Sequence, residues 1–271
     1  MSDLVLRSFE KGVLLLTWNR PERNNGWNQP LEEAYFDALR EASMDPDVRV
    51  IVVTGAGKAF CPGLDMDTLS QATTGGAAVL RRATRNHLYV RQIPKPVIAA
   101  INGACAGIGF IQAVASDLRF ASRTAKMTVA FSRRGLPAEN GLSWMLANLV
   151  GAGHAADLML SSRVVTGEEA AAMGLVNRAF DSEELLPSVL AYATDMAQNC
   201  SPRSLAIMKA QLAADWDRPL DQSRREAVAL IPQMVGKDDF NEGVRSFVEK
   251  RSPRFSGLAF DPDSPEPVRP S

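Results

Sequence analysis

Long hydrophobic runs are missing from this 271-residue chain. No stretch approaches the roughly 20 apolar residues that span a bilayer, and the longest candidate, Val97 to Ile101, has the length of a strand. Cysteine is scarce. Cys61, Cys105 and Cys200 are an odd number with no metal-ligand spacing, which fits a reduced, cytoplasmic setting. An excess of charge of either sign is also lacking: the formal net charge is -1. Nothing therefore suggests a nucleic-acid or membrane surface, and an anionic ligand must be met by a few local cations. The first residues carry no basic segment followed by an apolar one, so no signal peptide is expected. No His/Cys/Asp cluster has the spacing of a zinc site, and no serine is flanked as in a hydrolase elbow.

What is present is ordinary globular material, 46% apolar and 23% charged, long enough for a sizeable core in one large domain or two modest ones. Leu4 to Phe9 and Val13 to Trp18 flank Lys11-Gly12 and read as a β-hairpin. Asn28 looks like the cap of a helix whose apolar positions, Leu31, Ala34, Tyr35, Ala38, Leu39 and Ala42, follow at helical spacing. Val48 to Thr54 is a β-branched strand running into Gly55-Ala56-Gly57. The pattern then repeats in kind: a helix over 77–92, a strand over Val97 to Ile101, a glycine turn, and an apolar helix near 109–116. Leu118 to Ala121, Lys126 to Val129 and Leu175 to Phe180 read as further strands. Thr166 to Glu169 has the form of a capping box, and Gly174 is a natural stop. From Ser201, a cap followed by Pro202, only helices follow. The last sixteen residues carry four prolines and are expected to trail over the surface. This alternation argues for an α/β core over residues 1–195 with a helical segment over 196–271.

Two segments stand out for chemistry, Gly57 to Asp67 and Ile101 to Phe110, because each is a strand, a glycine turn and a helix start. Such a turn presents an unpaired backbone N–H where the helix dipole favours negative charge, and two facing one another would form an oxyanion hole. A single glycine turn is more often a plain connector.

With these segments in view, the chain resembles the crotonase (enoyl-CoA hydratase/isomerase) superfamily over nearly its whole length. Trp18 to Asn28 resembles LNRPEKRNALN, Gly57 to Leu69 resembles G-x-AFCAGADL, and Ile98 to Gly109 resembles IAAVNGxAxGGG. Gly135 to Gly151 resembles GLxPxxGGSWLLxRLVG, and Glu242 to Arg251 resembles EGxxAFxEKR. The resemblance implies a ββα spiral with a C-terminal helical trimerisation segment. It implies a homotrimer or hexamer, an acyl-CoA thioester as substrate, and CoA arriving with that substrate rather than as a cofactor. It places the oxyanion donors on the backbone N–H groups of Leu64 and Ile108. It puts Ala59, Pro62, Leu64, Asp65, Met66 and Asp67 along the CoA site, Arg23 where a cation meets the CoA phosphates, and Phe247 and Lys250 where the C-terminal helix reaches CoA.

The departures from the family pattern carry as much information. The two glutamates of the hydratases fall here on Ile111 and Phe131, neither of which transfers a proton. Glu139 remains, at the place where the resemblance puts the working carboxylate of dienoyl-CoA isomerases and an aryl-CoA dehalogenase. Its apolar neighbours Leu136, Pro137, Leu142 and Trp144 predict a raised pKa, suited to taking and returning a proton. A first-turn glutamate capping the next helix is the other reading of the same residue. His87, on an arginine-rich helix with Arg81, Arg82, Arg85 and Arg91, reads as surface or interface. His154 reads as a helix start, and Asn140 and Ser143 read as caps or substrate contacts. The expected activity is double-bond isomerisation or single-acid hydration of an enoyl-CoA. Other CoA-thioester reactions (hydrolysis, dehalogenation, decarboxylation) and a non-catalytic acyl-CoA-binding role stay open beside it.

Overall fold

Lys11 and Gly12 both adopt positive φ, 50° and 81°, which is what a two-residue hairpin turn of type I′ demands. They set β1 (Val5–Glu10) antiparallel to β2 (Val13–Trp18) and open the chain as its sequence predicts. The structure is a computed structural model that describes residues 3–75 and 86–260. Asn28 caps α1 (Gln29–Met44), its side chain accepting the Leu31 N–H at 3.1 Å.

Beyond α1 the chain climbs as a spiral of strand pairs. Each step is a longer strand, a tight turn and a three-residue strand: β3 (Val50–Gly55) and β4 (Ala59–Cys61), β5 (Val97–Ile101) and β6 (Ala104–Ala106), β7 (Leu118–Ser122) and β8 (Lys126–Thr128). The longer strands join one sheet, in the order β1-β2-β3-β5-β7-β10, and the short ones a second, β4-β6-β8-β9. Strands β9 (Val165–Thr166) and β10 (Arg178–Phe180) close the two edges. Helices α2 (Met66–Gly75) and α3 (Ile108–Ala115) follow β4 and β6. The parallel strands are apolar on both faces because both are covered. Ile51 and Val53 point into the large core, which holds Trp18, Trp27, Tyr35, Phe36 and Phe60. Val50 and Val52 point the other way, against Leu185, Val189, Ala193 and Ala197 of α6 (Ser182–Asn199).

Helix α4 (Leu142–Ser161) breaks at Gly151, where φ is 78° and ψ 160°. Thr166 caps α5 (Gly167–Ala172) by accepting the Glu169 N–H, and Gly174 follows it at φ 79°. Ser201 caps α7 (Pro202–Asp215), after which come α8 (Leu220–Met234) and α9 (Asp238–Glu249).

Three expectations change. The strand read over Leu175 to Phe180 is confined to Arg178–Phe180, because the Leu175 and Val176 amides both donate back to Ala170 O and turn the chain over α5. Of the helix read over 77–92, residues 76–85 lie outside the described residues, Arg81, Arg82 and Arg85 among them. The rest is a turn and a 3-10 turn at Tyr89–Arg91, started by the Asn86 side chain accepting the Leu88 N–H, a local bond that competes with a helix. Finally, residues 256–260 do not trail. Phe260 N–H donates to Ser43 O at 3.0 Å and the Ser43 hydroxyl donates to Phe260 O at 2.6 Å, tying this stretch to α1. Residues 261–271 lie outside the described residues.

Candidate active site

The parallel pairing of β4 with β6 places Cys61 opposite Cys105. Three residues beyond each cysteine stand Leu64 and Ile108, so the two turns leave the sheet side by side and in step. Their glycines are neighbours: a Cβ on Gly107 (φ +52°) would lie 3.5 Å from the Gly63 Cα. The start of α3 is pressed onto β4 as well, since a Cβ on Gly109 would lie 2.2 Å from Cys61 O. A larger residue at Gly109 would push the turns apart, whereas at Gly107 it is the positive φ that favours glycine.

The hydrogen bonds around the first turn bypass the amide of interest. Trp27 N–H donates to Gly63 O at 2.8 Å and Asp65 N–H donates to Trp27 O at 2.9 Å, so the bonds fall on either side of Leu64. Ile108 is the first residue of α3, where a helix leaves its N–H groups without intrahelical acceptors. Among the described residues, neither the Leu64 nor the Ile108 N–H has an acceptor. Both residues line one cavity of about 280 Å³, together with Trp27, Glu32, Pro62, His87, Phe131, Arg134 and Glu139. That volume suits an acyl group and its thioester rather than a whole CoA, since drug-sized ligands occupy about 300–1,000 Å³.

Glu139 does not act as a helix cap. The cap of α4 is Gly141, in the left-handed region with no side-chain bond, and Glu139 contributes only its carbonyl oxygen, to Leu142 N–H at 3.0 Å. Among the described residues its carboxyl has neither a hydrogen-bond donor nor an ion-pair partner. It stands at the cavity rim, exposed to solvent, yet enough protein surrounds it that desolvation raises its pKa above the ordinary value. An acyl chain seated beside it would bury it further and push in the same direction.

The structure separates the residues singled out by sequence. Leu64, Ile108, Pro62 and Glu139 meet at the cavity, and Phe131 forms part of its wall, while Ile111 is fully buried in the core. Asp65 caps α2: its carboxylate accepts the Thr68 N–H at 2.9 Å and both terminal nitrogens of Arg20 at 3.1 Å. Partial burial raises its pKa, but the Thr68 and Arg20 bonds outweigh that and hold it below the usual carboxylate range. Arg23 and Asp67 pair with each other at 3.3 Å on the surface near these turns. Ala59 is buried, its carbonyl accepting from the Asn25 side chain at 2.7 Å. Met66 is exposed. Phe247 and Lys250 sit on or just after α9, and neither lines the cavity.

His87 is not a surface residue in this chain. Its side chain is 13% exposed, lines the cavity and stands 3.5 Å from the carboxylate of Glu32, itself 5% exposed. Glu32 was not singled out by sequence, although the signal was there. It lies three residues before Tyr35 and four before Phe36, so a charge falls on the buried stripe of α1. His154 is exposed just after the Gly151 break.

With this geometry in place, comparison with known proteins gives the class. The profile of the Enoyl-CoA hydratase/isomerase family matches residues 8–258, and the chain belongs to that family. It is 33% identical to the 1,2-epoxyphenylacetyl-CoA isomerase of Escherichia coli K12, covering 95% of this chain and 100% of that protein. It is 30% identical to the peroxisomal Delta(3,5)-Delta(2,4)-dienoyl-CoA isomerase of Arabidopsis thaliana, over 94% and 97% of the two chains. Among solved structures, an enoyl-CoA hydratase from Bacillus anthracis superposes with a TM-score of 0.86 at 26% identity, over 94% of this chain and 100% of that one. The fold is the crotonase fold, and the protein is an enzyme of the enoyl-CoA hydratase/isomerase family.

Proposed function

We propose that this enzyme binds an enoyl-CoA with its thioester oxygen between the Leu64 and Ile108 amides and moves a proton with Glu139. CoA is part of the substrate, and the acyl group occupies the cavity. The observation that carries the reading is the coincidence of two unused amides, in step on paired strands, with an unpaired carboxyl on the same cavity. For a 3-enoyl-CoA, the Glu139 carboxylate takes a proton from the carbon next to the thioester. The electron pair spreads onto the thioester oxygen as a dienolate, held by the two amides, and the carboxylic acid returns the proton to the far end of the former double bond. Atoms and charge balance, and no water is consumed. One such amide contributes about 3–4 kcal/mol of transition-state stabilisation.

Isomerisation is favoured over hydration because Ile111 and Phe131 leave a single carboxyl where two-acid water addition has two. Ala59, Asp65, Met66 and Asp67 with Arg23 are assigned to the path of the CoA body, and Phe247 and Lys250 to its reach across a trimer or hexamer in the cytoplasm.

The test is turnover of 3-enoyl-CoA and 2-enoyl-CoA panels by wild type and Glu139→Gln, followed by mass and absorbance. Unchanged mass with shifted absorbance is expected for wild type, with kcat about 10²–10⁴-fold lower for the variant. A gain of water would convert the reading to single-acid hydration, and loss of CoA would convert it to hydrolysis. Equal rates in the two proteins would remove Glu139 from the chemistry. Binding without turnover across the panel would leave an acyl-CoA-binding protein.

A further inference from the structure

Among the described residues that line the cavity, Arg134 is the one permanent cation. The proposed chemistry does not call for it: two amides hold the thioester oxygen, and Glu139 moves the proton. An arginine at a rim is often no more than a solvated charge, and on this surface such arginines pair with carboxylates. Arg23 pairs with Asp67, Arg163 with Asp157 and Arg251 with Glu242. Arg134 has no carboxylate partner among the described residues, although Glu139 lies close along the chain and shares the cavity. Its guanidinium makes a single hydrogen bond there, a long one of 3.4 Å to Ala130 O. Most of the donors of its planar fork are therefore left for a ligand.

The turn that carries Arg134 is firmly built. Arg134 ends the 3-10 turn Ser132–Arg134, with Ala130 before it at φ 68° and Gly135 after it at φ 67°. Left-handed backbone is uncommon at a residue with a Cβ and persists only where the surroundings fix it. The fixing comes from the end of α4. The Ser132 hydroxyl donates to Leu160 O at 3.1 Å and meets the Ser162 hydroxyl at 2.7 Å, and Arg133 Nε donates to Ser161 O at 3.3 Å. Strand order decides which part of a ligand Arg134 meets. Leu64 and Ile108 follow β4 and β6, and this turn follows β8, the next strand along. Arg134 thus lies beyond the Ile108 donor from Asp65 to Asp67, the residues assigned to the CoA body, and it is the acyl end that passes it.

We propose that Arg134 binds a carboxylate at the far end of the acyl group, so that the preferred substrates are CoA thioesters of dicarboxylic acids. This rests on the acyl-CoA reading. A carboxylate carried into an apolar cavity costs free energy unless a cation meets it. A guanidinium meets it with two parallel hydrogen bonds.

Calorimetric titration reads this without turnover. The probes are free CoA and length-matched pairs: butanoyl- with succinyl-CoA, hexanoyl- with adipoyl-CoA, and octanoyl- with suberoyl-CoA. Each is titrated into full-length wild type, Arg134→Gln and Arg134→Lys. In at least one pair, wild type should bind the carboxylated member about tenfold or more tighter than the neutral one. Arg134→Gln should abolish that ratio, and Arg134→Lys, which keeps the charge without the fork, should retain part of it. Equal binding within every pair by wild type overturns the proposal. So does a ratio that survives Arg134→Gln, and so does a lysine variant as indifferent as the glutamine one, since charge would then not be what is recognised. The phosphates of CoA offer similar anions: if Arg134→Gln weakens free CoA as much as the carboxylated probes, the cation serves CoA and the proposal falls. If neither free CoA nor any thioester binds wild type, the acyl-CoA reading itself fails, and this one with it.

Discussion

Glu139 carries a carboxyl that its surroundings bias toward the neutral form, and that bias has two separate consequences. In catalysis it is the carboxylate that takes the proton, so kcat should rise with pH through the raised pKa. The acid limb should lie above that of an ordinary glutamate, and it should vanish in Glu139→Gln. For stability the sign is opposite. A carboxyl whose folded pKa is raised stabilises the fold below its unfolded pKa, and that contribution is lost as pH climbs through the folded one. At pH 7 wild type therefore holds a poorly solvated carboxylate, and Glu139→Gln should melt higher than wild type. The difference should shrink toward zero near pH 4. Thermal melts at both pH values test it, and a variant that melts lower at pH 7 would mean the carboxylate makes a stabilising contact. A working acid that weakens its own fold is the usual balance between activity and stability. Glu139 was visible in the sequence because the family resemblance puts a working carboxylate there, and its raised pKa because its apolar neighbours are close along the chain. Glu32 and His87 were not, because their meeting depends on packing between α1 and the turn before Tyr89, far apart in sequence.

Elements were legible wherever the cause is local. The Lys11-Gly12 hairpin, the Asn28, Thr166 and Ser201 caps and the strand at Val97 to Ile101 each follow from short-range chemistry, and each appears in the structure. The failures differ in kind: the Leu175 amide closes back onto Ala170 O around Gly174, a local helix-end bond that overrides the strand pattern, whereas residues 256–260 are held by Ser43 of α1, a contact no local pattern names. The pairing of β4 with β6 is equally non-local, and the proposed donors depend on it. It can be probed at Ile108 because proline is tolerated in the first turn of a helix yet has no N–H. Ile108→Pro should keep the far-ultraviolet dichroism and melt within a few degrees of wild type, while kcat/KM falls about 10²–10³-fold. Ile108→Val, which keeps the amide, should stay within about threefold. A proline variant as active as the valine one would show that this amide does not touch the substrate.

At the scale of the molecule, the two sheets and α6 consume the apolar residues of the first part of the chain, but the last helices do not consume theirs. On α7, Leu212 is 69% exposed; Leu220 at the start of α8 and Phe247 on α9 are each 85% exposed, and Val248 is 73% exposed. Val228, Ile231 and Val244 add to this surface. Scattered apolar residues on a monomer need no explanation, but repetition along three successive helices is the pattern of a covered face. Burying one such side chain contributes about 1.5–3 kcal/mol, so these side chains would favour association of identical chains, the trimer or hexamer proposed for this enzyme. Sedimentation equilibrium at micromolar concentration should then give a mass that is a multiple of 29.4 kDa. Replacing Leu212 and Phe247 with glutamate should shift the mass toward a single chain, because charge placed in an apolar contact leaves it unpaired. Leu4 lies far from that face in the sequence and packs against the large core, so Leu4→Val serves as a control that perturbs the fold without touching the contact. A wild type that sediments as one chain would overturn the assembly while leaving the cavity chemistry standing. The Arg23, Phe247 and Lys250 assignments would then have to be satisfied within a single protomer, where Phe247 and Lys250 do not line the cavity.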